Sequence, residues 1–125
     1  MNNNNKLLAF ISLVLSLSII FAGTNVYAET TFEKIKRTGK VTVGTEAAFP
    51  PFEFVEDGKI VGYGKDILDY IIADMGVELN QLDLPWQGIL PGVLAGKFDF
   101  VATSVSIRAE RAKKYAFTVP IAEGT

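Results

Sequence analysis

The 125-residue sequence predicts an α/β fold in which a mostly parallel β-sheet is flanked by helices. Two observations lead to this class. Short β-branched segments alternate with amphipathic segments of helical length, an order that is typical of βαβ units. Residues 98–103 form a nearly continuous apolar run, as expected of a strand that is buried on both faces of a parallel sheet.

The first 28 residues have the three-part pattern of a secretory signal peptide. Lys6 supplies a positive charge, residues 7–22 are almost entirely apolar, and small side chains precede a cleavage site that we predict after Ala28. The alternative is an uncleaved membrane anchor, for which an apolar run of about 16 residues is short. After cleavage we expect a periplasmic or secreted chain that is not stably inserted in the membrane.

The exported part of the chain, residues 29–125, opens with a predicted helix and strand. Residues 32–39 place Phe32 and Ile35 on one helical face, and Gly39 is the expected end of this helix. Residues 41–45 alternate and are β-branched, which predicts the first strand.

Two prolines shape the next segment. The run Phe49-Pro50-Pro51-Phe52 excludes a helix or a central strand, because proline has no amide hydrogen to donate. Residues 52–55 and 60–63 then predict the strands of a hairpin, joined by an Asp-Gly turn at residues 56–59.

The clearest helix covers residues 65–75, and Gly76 is its expected end. Its apolar residues recur on one face: Ile67, Leu68, Ile71, Ile72 and Met75. A strand is predicted next over residues 77–84. Its apolar residues change phase along the strand, which predicts a bulge or register break near Asn80.

A further helix is predicted over residues 89–95, with Pro91 in its first turn and Gly96 as its end. We expect Ile89, Leu90, Val93 and Leu94 to face inward. Three elements follow: the buried strand at residues 98–103, a short charged helix at 108–115 and a last strand at 116–119.

The composition favours binding over catalysis. The chain contains no cysteine, which excludes disulfides, thiolate zinc sites, thiol nucleophiles and a lipid-modified N-terminal cysteine. It contains no histidine, which excludes a Ser/His/Asp triad and histidine metal sites. The net charge of −2 gives no indication of nucleic-acid binding. We therefore expect a binding module with no metal or cofactor.

Five motifs resemble those of one protein family. In chain order they are GTEAAFPPFEF at residues 44–54, GYGKDI at 62–67, WQGILP at 86–91, KFD at 97–99 followed by SVSIRAER at 104–111, and FTVP at 117–120. Together they resemble the periplasmic substrate-binding proteins for polar amino acids, which serve ABC-type importers and have the type 2 periplasmic-binding-protein fold. Two positions depart from the family pattern, because Gly64 stands where an acid is usual and Lys65 where an apolar residue is usual.

The resemblance implies a two-lobed protein with its ligand between the lobes. Residues 29–125 would then form an incomplete first lobe. It also implies a polar amino acid as ligand, the membrane permease of an ABC importer as partner, and a monomer. Because the second lobe normally supplies half of the ligand contacts, we expect this chain alone to bind weakly or not at all.

Three other functions stay open at this point. The same module could be the sensory input domain of a membrane receptor or kinase, or the chain could be a truncated product without binding activity. A few relatives of the fold are dehydratases or wall-cleaving enzymes, and Glu46 and Glu53 are the acids that such chemistry would use. We expect no enzyme activity.

The resemblance places Arg111 at the position that binds the ligand carboxylate, and a guanidinium matches a carboxylate through two parallel hydrogen bonds. Ser104 and Ser106 occupy positions that present backbone N–H and C=O groups to the ligand, and Thr103 lines the floor of the cleft. The alternatives are an exposed arginine on a charged helix and serines that serve only as turn or N-cap residues.

Glu46 occupies a position where an acid faces the ligand, and its side chain favours a polar or cationic amino acid. Phe49 and Trp86 match aromatic positions that sandwich the ligand. The alternatives are an exposed glutamate at a strand end for Glu46, and core packing against Phe52 and Phe54 for Phe49.

Overall fold

The computed structural model describes residues 27–123, so the predicted signal peptide lies outside the described residues except for Tyr27 and Ala28. The elements, in chain order, are α1 (Thr31–Thr38), β1 (Lys40–Thr45), β2 (Ala48–Phe49), β3 (Glu53–Glu56), β4 (Lys59–Val61), α2 (Tyr63–Met75), β5 (Glu78–Asp83), α3 (Trp86–Leu94), β6 (Phe100–Val101) and α4 (Ala109–Ala112). No helix within residues 27–123 has the length and apolar character needed to cross a bilayer.

Two small sheets confirm the predicted α/β class. A three-stranded parallel sheet has the order β5-β1-β6, and a three-stranded antiparallel sheet has the order β2-β3-β4. The predicted hairpin forms the antiparallel sheet, with β2 as an extra strand that pairs through Ala48 and Phe49. β2 lies at the edge of its sheet, and Pro50 and Pro51 follow it directly. An edge strand tolerates these prolines, because no neighbouring strand needs their missing amide donors.

The helix α1 ends at Gly39 as predicted, and a capping box fixes its beginning. Thr30 and Glu33 form a capping box, in which the Thr30 side chain accepts from the Glu33 amide and the Glu33 carboxylate accepts from the Thr30 amide. Gly39 has a φ of 67°, a left-handed conformation that glycine adopts without a Cβ clash.

The main core lies between α1, β1 and α2. Its buried residues are Ile35, Val41, Val43, Leu68 and Ile72. The predicted stripe on α2 is therefore confirmed at Leu68 and Ile72, but it is wrong at Ile71, which is 44% exposed. The sheet covers a narrower strip of the helix than the apolar pattern suggests.

A second packing centre forms around Phe98, which is 5% exposed. Its ring lies between β1 and α3, against Gly44 and Gly92. A Cβ at Gly44 would lie 2.6 Å from Phe98 Cζ, and one at Gly92 would lie 2.5 Å from Phe98 Cε1. The two glycines thus provide the space that the phenylalanine ring occupies.

The predicted register break in β5 is wrong. β1 and β5 pair without interruption from Lys40 opposite Glu78 to Thr45 opposite Asp83. Gln81 takes the inward position that the apolar pattern leaves vacant, and its amide donates to the Thr45 hydroxyl over 2.9 Å. A polar residue can thus occupy an inward position of a strand when a buried partner accepts its hydrogen bond.

The predicted bounds of α3 are also wrong. The helix begins at Trp86, so Pro91 lies inside it and not in its first turn. The amide that Pro91 lacks would bond the carbonyl of Gln87, and Gln87 is exposed to water. Leu94 was predicted to face inward but is 60% exposed, whereas Ile89 is fully buried.

The elements after α3 are shorter than predicted. β6 contains Phe100 and Val101 alone, because Phe98 packs as a loop residue and Thr103 belongs to a turn after the strand. The charged helix is limited to Ala109–Ala112, and residues 116–119 form no strand in the described part of the chain. A β-branched pattern alone does not make a strand without a neighbouring edge to pair with.

Candidate functional site

A cleft of about 500 Å³ lies at the carboxyl ends of β1 and β6, where ligands bind in open α/β sheets. The structure brings all seven predicted site residues together in its lining: Glu46, Phe49, Trp86, Thr103, Ser104, Ser106 and Arg111. Gln87 and Arg108 also line the cleft, and sequence reasoning missed both of them. Gln87 lies within the WQGILP motif directly after Trp86, and Arg108 lies within the SVSIRAER motif, which is the signal that could have identified them.

The floor of the cleft is fixed by a buried threonine at the end of β1. Thr45 is fully buried, and its hydroxyl donates to the carbonyl of Ala102 over 2.8 Å. The same oxygen accepts from the Gln81 side chain, so that Thr45 connects β1 to both of its sheet neighbours. Asp83 accepts from the amide of Ala47 over 3.0 Å, which fixes the chain as it leaves β1.

Arg111 is held in place by two contacts. Its Nη1 donates to the carbonyl of Ser106 over 3.0 Å, and its guanidinium carbon lies 5.3 Å from the centre of the Trp86 ring. The side chain is half-buried and lines the cleft, unlike a solvated arginine on a charged helix. A guanidinium oriented in this way is suited to a planar anion such as a carboxylate.

The two aromatic residues have structural contacts as well as places in the cleft. Trp86 begins α3 and supports Arg111 through a cation–π contact. Phe49 stacks on Phe52 with 5.6 Å between ring centres and 14° between the ring planes. Phe49 is nevertheless 52% exposed. It therefore lines the cleft, as predicted, and also packs against Phe52.

Charge in the cleft is mixed. The Glu46 carboxylate and the Arg108 and Arg111 guanidiniums are all part of its lining. A zwitterionic ligand needs partners of both signs, because a closing cleft removes water from its charges. The same lining also contains three residues with hydroxyl groups, Thr103, Ser104 and Ser106.

Ser104 lines the cleft, and both its backbone amide and its hydroxyl have a partner within the protein. Its amide donates to Glu53 Oε2 over 3.1 Å, and its hydroxyl donates to Glu53 Oε1 over 3.1 Å. The amide therefore has a partner within the protein in this structure, and the role that the resemblance implies for the Ser104 backbone stays a prediction. The backbone carbonyl of Ser106 accepts one hydrogen bond from Arg111.

Glu53 has a structural role at this site that sequence reasoning missed, since Glu53 was considered only as an acid for enzyme chemistry. It is 2% exposed, and its two carboxylate oxygens accept hydrogen bonds from Thr103 and Ser104. Burial raises the pKa of Glu53, while the hydrogen bonds from Ser104 and Thr103 act in the opposite direction. The available signal was an acid between two phenylalanines, Phe52 and Phe54, in a predicted strand.

The arrangement offers binding groups and little for catalysis. It combines a fixed guanidinium, a carboxylate, hydroxyl groups and aromatic rings around one cleft. Within residues 27–123 no group of three or more acidic side chains is placed to hold a metal ion.

Comparisons with known proteins agree with this chemistry. The sequence profile of bacterial extracellular solute-binding proteins, family 3, matches residues 41–125. The L-cystine-binding protein TcyJ of Escherichia coli K12 is 35% identical over 88 residues, which are 70% of this chain and 33% of TcyJ. A probable amino-acid ABC transporter-binding protein of Haemophilus influenzae is 29% identical over 116 residues, covering 92% of this chain and 45% of the relative.

A solved structure matches at the level of one domain. Domain 1 of the arginine-binding protein from T. maritima, in its arginine-bound form, aligns with a TM-score of 0.66 and 41% identity, covering 70% of each chain. This chain spans between a third and a half of the two curated relatives. The fold of this chain thus corresponds to domain 1 of the solved relative, in agreement with the predicted lobe 1.

Proposed function

The chain belongs to the bacterial extracellular solute-binding proteins of family 3, and from this membership we propose that its cleft binds a polar amino acid for delivery to the permease of an ABC importer. The observation that carries the proposal is the convergence of one fixed guanidinium and one carboxylate on the same cleft. A free amino acid presents the opposite pair of charges.

We propose a role for each charged group. Arg111 binds the ligand carboxylate, since Trp86 and the Ser106 carbonyl hold its guanidinium in one orientation. Glu46 faces the ammonium or a polar side chain of the ligand. A group already held in its bound orientation loses less conformational entropy when the ligand arrives.

The remaining site residues shape the pocket. Phe49 and Trp86 provide apolar surface for the aliphatic part of the ligand, and a cationic side chain would gain a further cation–π contribution. Thr103, Ser104 and Ser106 form the polar floor. No reaction is proposed, because the named relatives are binding proteins.

The proposal also includes a location and a partner. A cleaved signal peptide at residues 1–28 would export the chain to the periplasm or the medium, where it would act as a monomer. The relative from Haemophilus influenzae is a probable ABC transporter-binding protein, which supports a membrane permease as the partner.

Calorimetric titration of the chain with arginine, histidine, cystine, glutamine and glutamate tests the proposed function. The solved relative is a first domain with arginine bound, which supports detectable binding by one lobe. We expect at least one of these amino acids to bind with a dissociation constant weaker than about 1 μM. The absence of binding for every ligand in the panel would contradict the proposal, and sub-micromolar binding would contradict the role given to a second lobe.

A further inference from the structure

Glu53 lies directly beneath the polar floor of the cleft, without a cation beside it. Among the described residues it takes part in no ion pair. The surrounding elements carry charged side chains of both signs. These are Glu46 after β1; Glu56, Asp57 and Lys59 on the hairpin; Lys65, Asp66, Asp69 and Asp74 in α2; and Arg108, Glu110 and Arg111 beyond Ser106. Hydrogen-bond donors therefore provide the stabilisation that a buried carboxylate requires.

Both oxygens of Glu53 accept from the residues that line the floor. Oε2 accepts from the Ser104 amide over 3.1 Å and from the Thr103 hydroxyl over 3.3 Å, and Oε1 accepts from the Ser104 hydroxyl over 3.1 Å. The second acceptor near the Thr103 hydroxyl is the carbonyl of Glu46, at 3.4 Å. Either acceptor keeps the Thr103 hydrogen within the protein.

A hydroxyl group has one hydrogen to donate and lone pairs that accept. The Ser104 hydroxyl donates its hydrogen to Glu53, and the Thr103 hydroxyl donates its hydrogen to Glu53 or to the Glu46 carbonyl. Each hydroxyl therefore has only lone pairs left for a ligand. Lone pairs attract an ammonium and repel a carboxylate. The floor therefore has a fixed polarity, and the residue that fixes it lies outside the cleft lining.

Gly64 makes this position of the carboxylate possible. A Cβ at residue 64 would overlap Oε1 of Glu53. The glycine is the second residue of α2, so the carboxylate also lies near the positive end of a 13-residue helix. The departure of Gly64 from the family pattern thus has a structural consequence, which is room for Glu53 under the floor.

We propose that Glu53 is a positioning residue that sets the hydroxyl group of Ser104 as a hydrogen-bond acceptor and, together with the Glu46 carbonyl, that of Thr103, so that this part of the cleft takes the ligand ammonium. The proposal deepens the proposed amino-acid binding and rests on it. Protonation of Glu53 would reverse the polarity, because a neutral carboxyl group donates to Ser104 Oγ and allows its hydrogen to turn toward the cleft.

The first test needs no ligand. In the wild-type chain, NMR titration should show the Ser104 amide proton shifting together with the Glu53 carboxyl carbon as the pH changes. In Glu53→Gln this pH response of Ser104 should disappear, whereas in Glu56→Gln, which changes an exposed acid on the same strand, it should be retained. A Ser104 amide that does not follow the Glu53 titration would overturn the proposal.

The second test uses L-arginine as the probe. Glutamine offers one acceptor and one donor, so Glu53→Gln turns the Ser104 hydroxyl into an acceptor from the protein and directs its hydrogen to the cleft. We expect the affinity for L-arginine to fall about tenfold or more, and the affinity for 5-guanidinopentanoic acid, which lacks the ammonium, to change less than about threefold. Equal losses for both probes would contradict the proposed role.

A double-mutant cycle separates positioning from general structure. If Glu53 acts through Ser104, Glu53→Gln should have little effect on L-arginine binding in a Ser104→Ala background, and additive losses would contradict this route.

If Glu53→Gln does not fold, Gly64→Ala provides a second variant, since its methyl group displaces the carboxylate from Ser104 and should also abolish the pH response. If no amino acid in the panel binds, the proposed function fails, and the ligand-free titration still decides the role of Glu53.

Discussion

Arg111 shows how one side chain can be prepared for a ligand by its neighbours. The Ser106 carbonyl accepts from one nitrogen of its guanidinium, and Trp86 lies against its face. The spacing of the motif predicted which arginine is at the site. The two contacts that orient it connect α4 with its preceding loop and with α3, and they depend on the fold.

Arg111→Ala should abolish detectable binding of the amino acid that binds the wild-type chain best in the titration panel. Arg111→Lys should recover little of that affinity, because an ammonium cannot form the paired hydrogen bonds of a guanidinium. Calorimetry measures both variants. The matched control is Arg37→Ala, which removes an arginine of α1 that pairs with Glu29. This variant should bind normally. Unchanged affinity in Arg111→Ala would remove Arg111 from the carboxylate role.

At the scale of elements, the contact between β1 and α3 depends on the absence of two side chains. The Phe98 ring fills the space beside Gly44 and Gly92, and these residues come from three separate segments of the chain. Ile89 on the same helix is fully buried. α3 therefore approaches the sheet closely enough to place Trp86 at the cleft.

Gly92→Ala should destabilise the protein by about 1–3 kcal/mol, because an added methyl group in a packed core forces side chains or backbone to move. Alanine favours the helix over glycine by about 1 kcal/mol, so a loss of stability would show that packing dominates helix propensity here. Urea unfolding followed by circular dichroism measures the change. Gly88→Ala, in the same helix with open space around the added Cβ, is the control and should not lose stability. Equal behaviour of the two variants would contradict the packing argument.

At the scale of the whole molecule, Asp99 joins α1 to the sheet. Its carboxylate accepts from Lys34 Nζ over 2.7 Å and from the Thr42 amide over 2.8 Å, and its side chain is 5% exposed. Burial opposes ionisation, but the hydrogen bonds from Lys34 and Thr42 prevail and lower the pKa of Asp99. The folded state therefore holds the ionised form more strongly than the unfolded chain does.

The sign of this shift fixes a pH dependence. The stabilisation from Asp99 is present above its unfolded pKa of 3.8 and is lost as the pH falls below that value toward the folded pKa. Asp99→Asn should lower the free energy of unfolding by about 1–3 kcal/mol at pH 7 and reduce the acid-side slope. Denaturant unfolding from pH 7 to pH 2.5 measures this, with the exposed Asp74→Asn as control. An unchanged acid-side slope in Asp99→Asn would rule out this role.

Much of the fold followed from local patterns. The glycine that ends α1, the apolar pattern of α2 and the hairpin turn all act within a few residues, and the structure confirms the three elements, although Ile71 of the α2 pattern is exposed. The errors occurred where a distant contact decided the outcome. Gln81 keeps its strand phase through Thr45, 36 residues away, and residues 116–119 lack a paired neighbour in the described part of the chain.

The sequence by itself determined most of the order of helices and strands, the family, and seven of the nine residues that line the cleft, because periodicity and motif spacing are properties of neighbouring residues. Only the tertiary structure decided that Glu53 lies under the floor, that the Ser104 amide faces Glu53, and that Arg111 lies over Trp86. The hydrogen bond from Ser104 to Glu53 joins residues 51 positions apart. No local pattern specifies such a contact, because it forms only when two elements pack together.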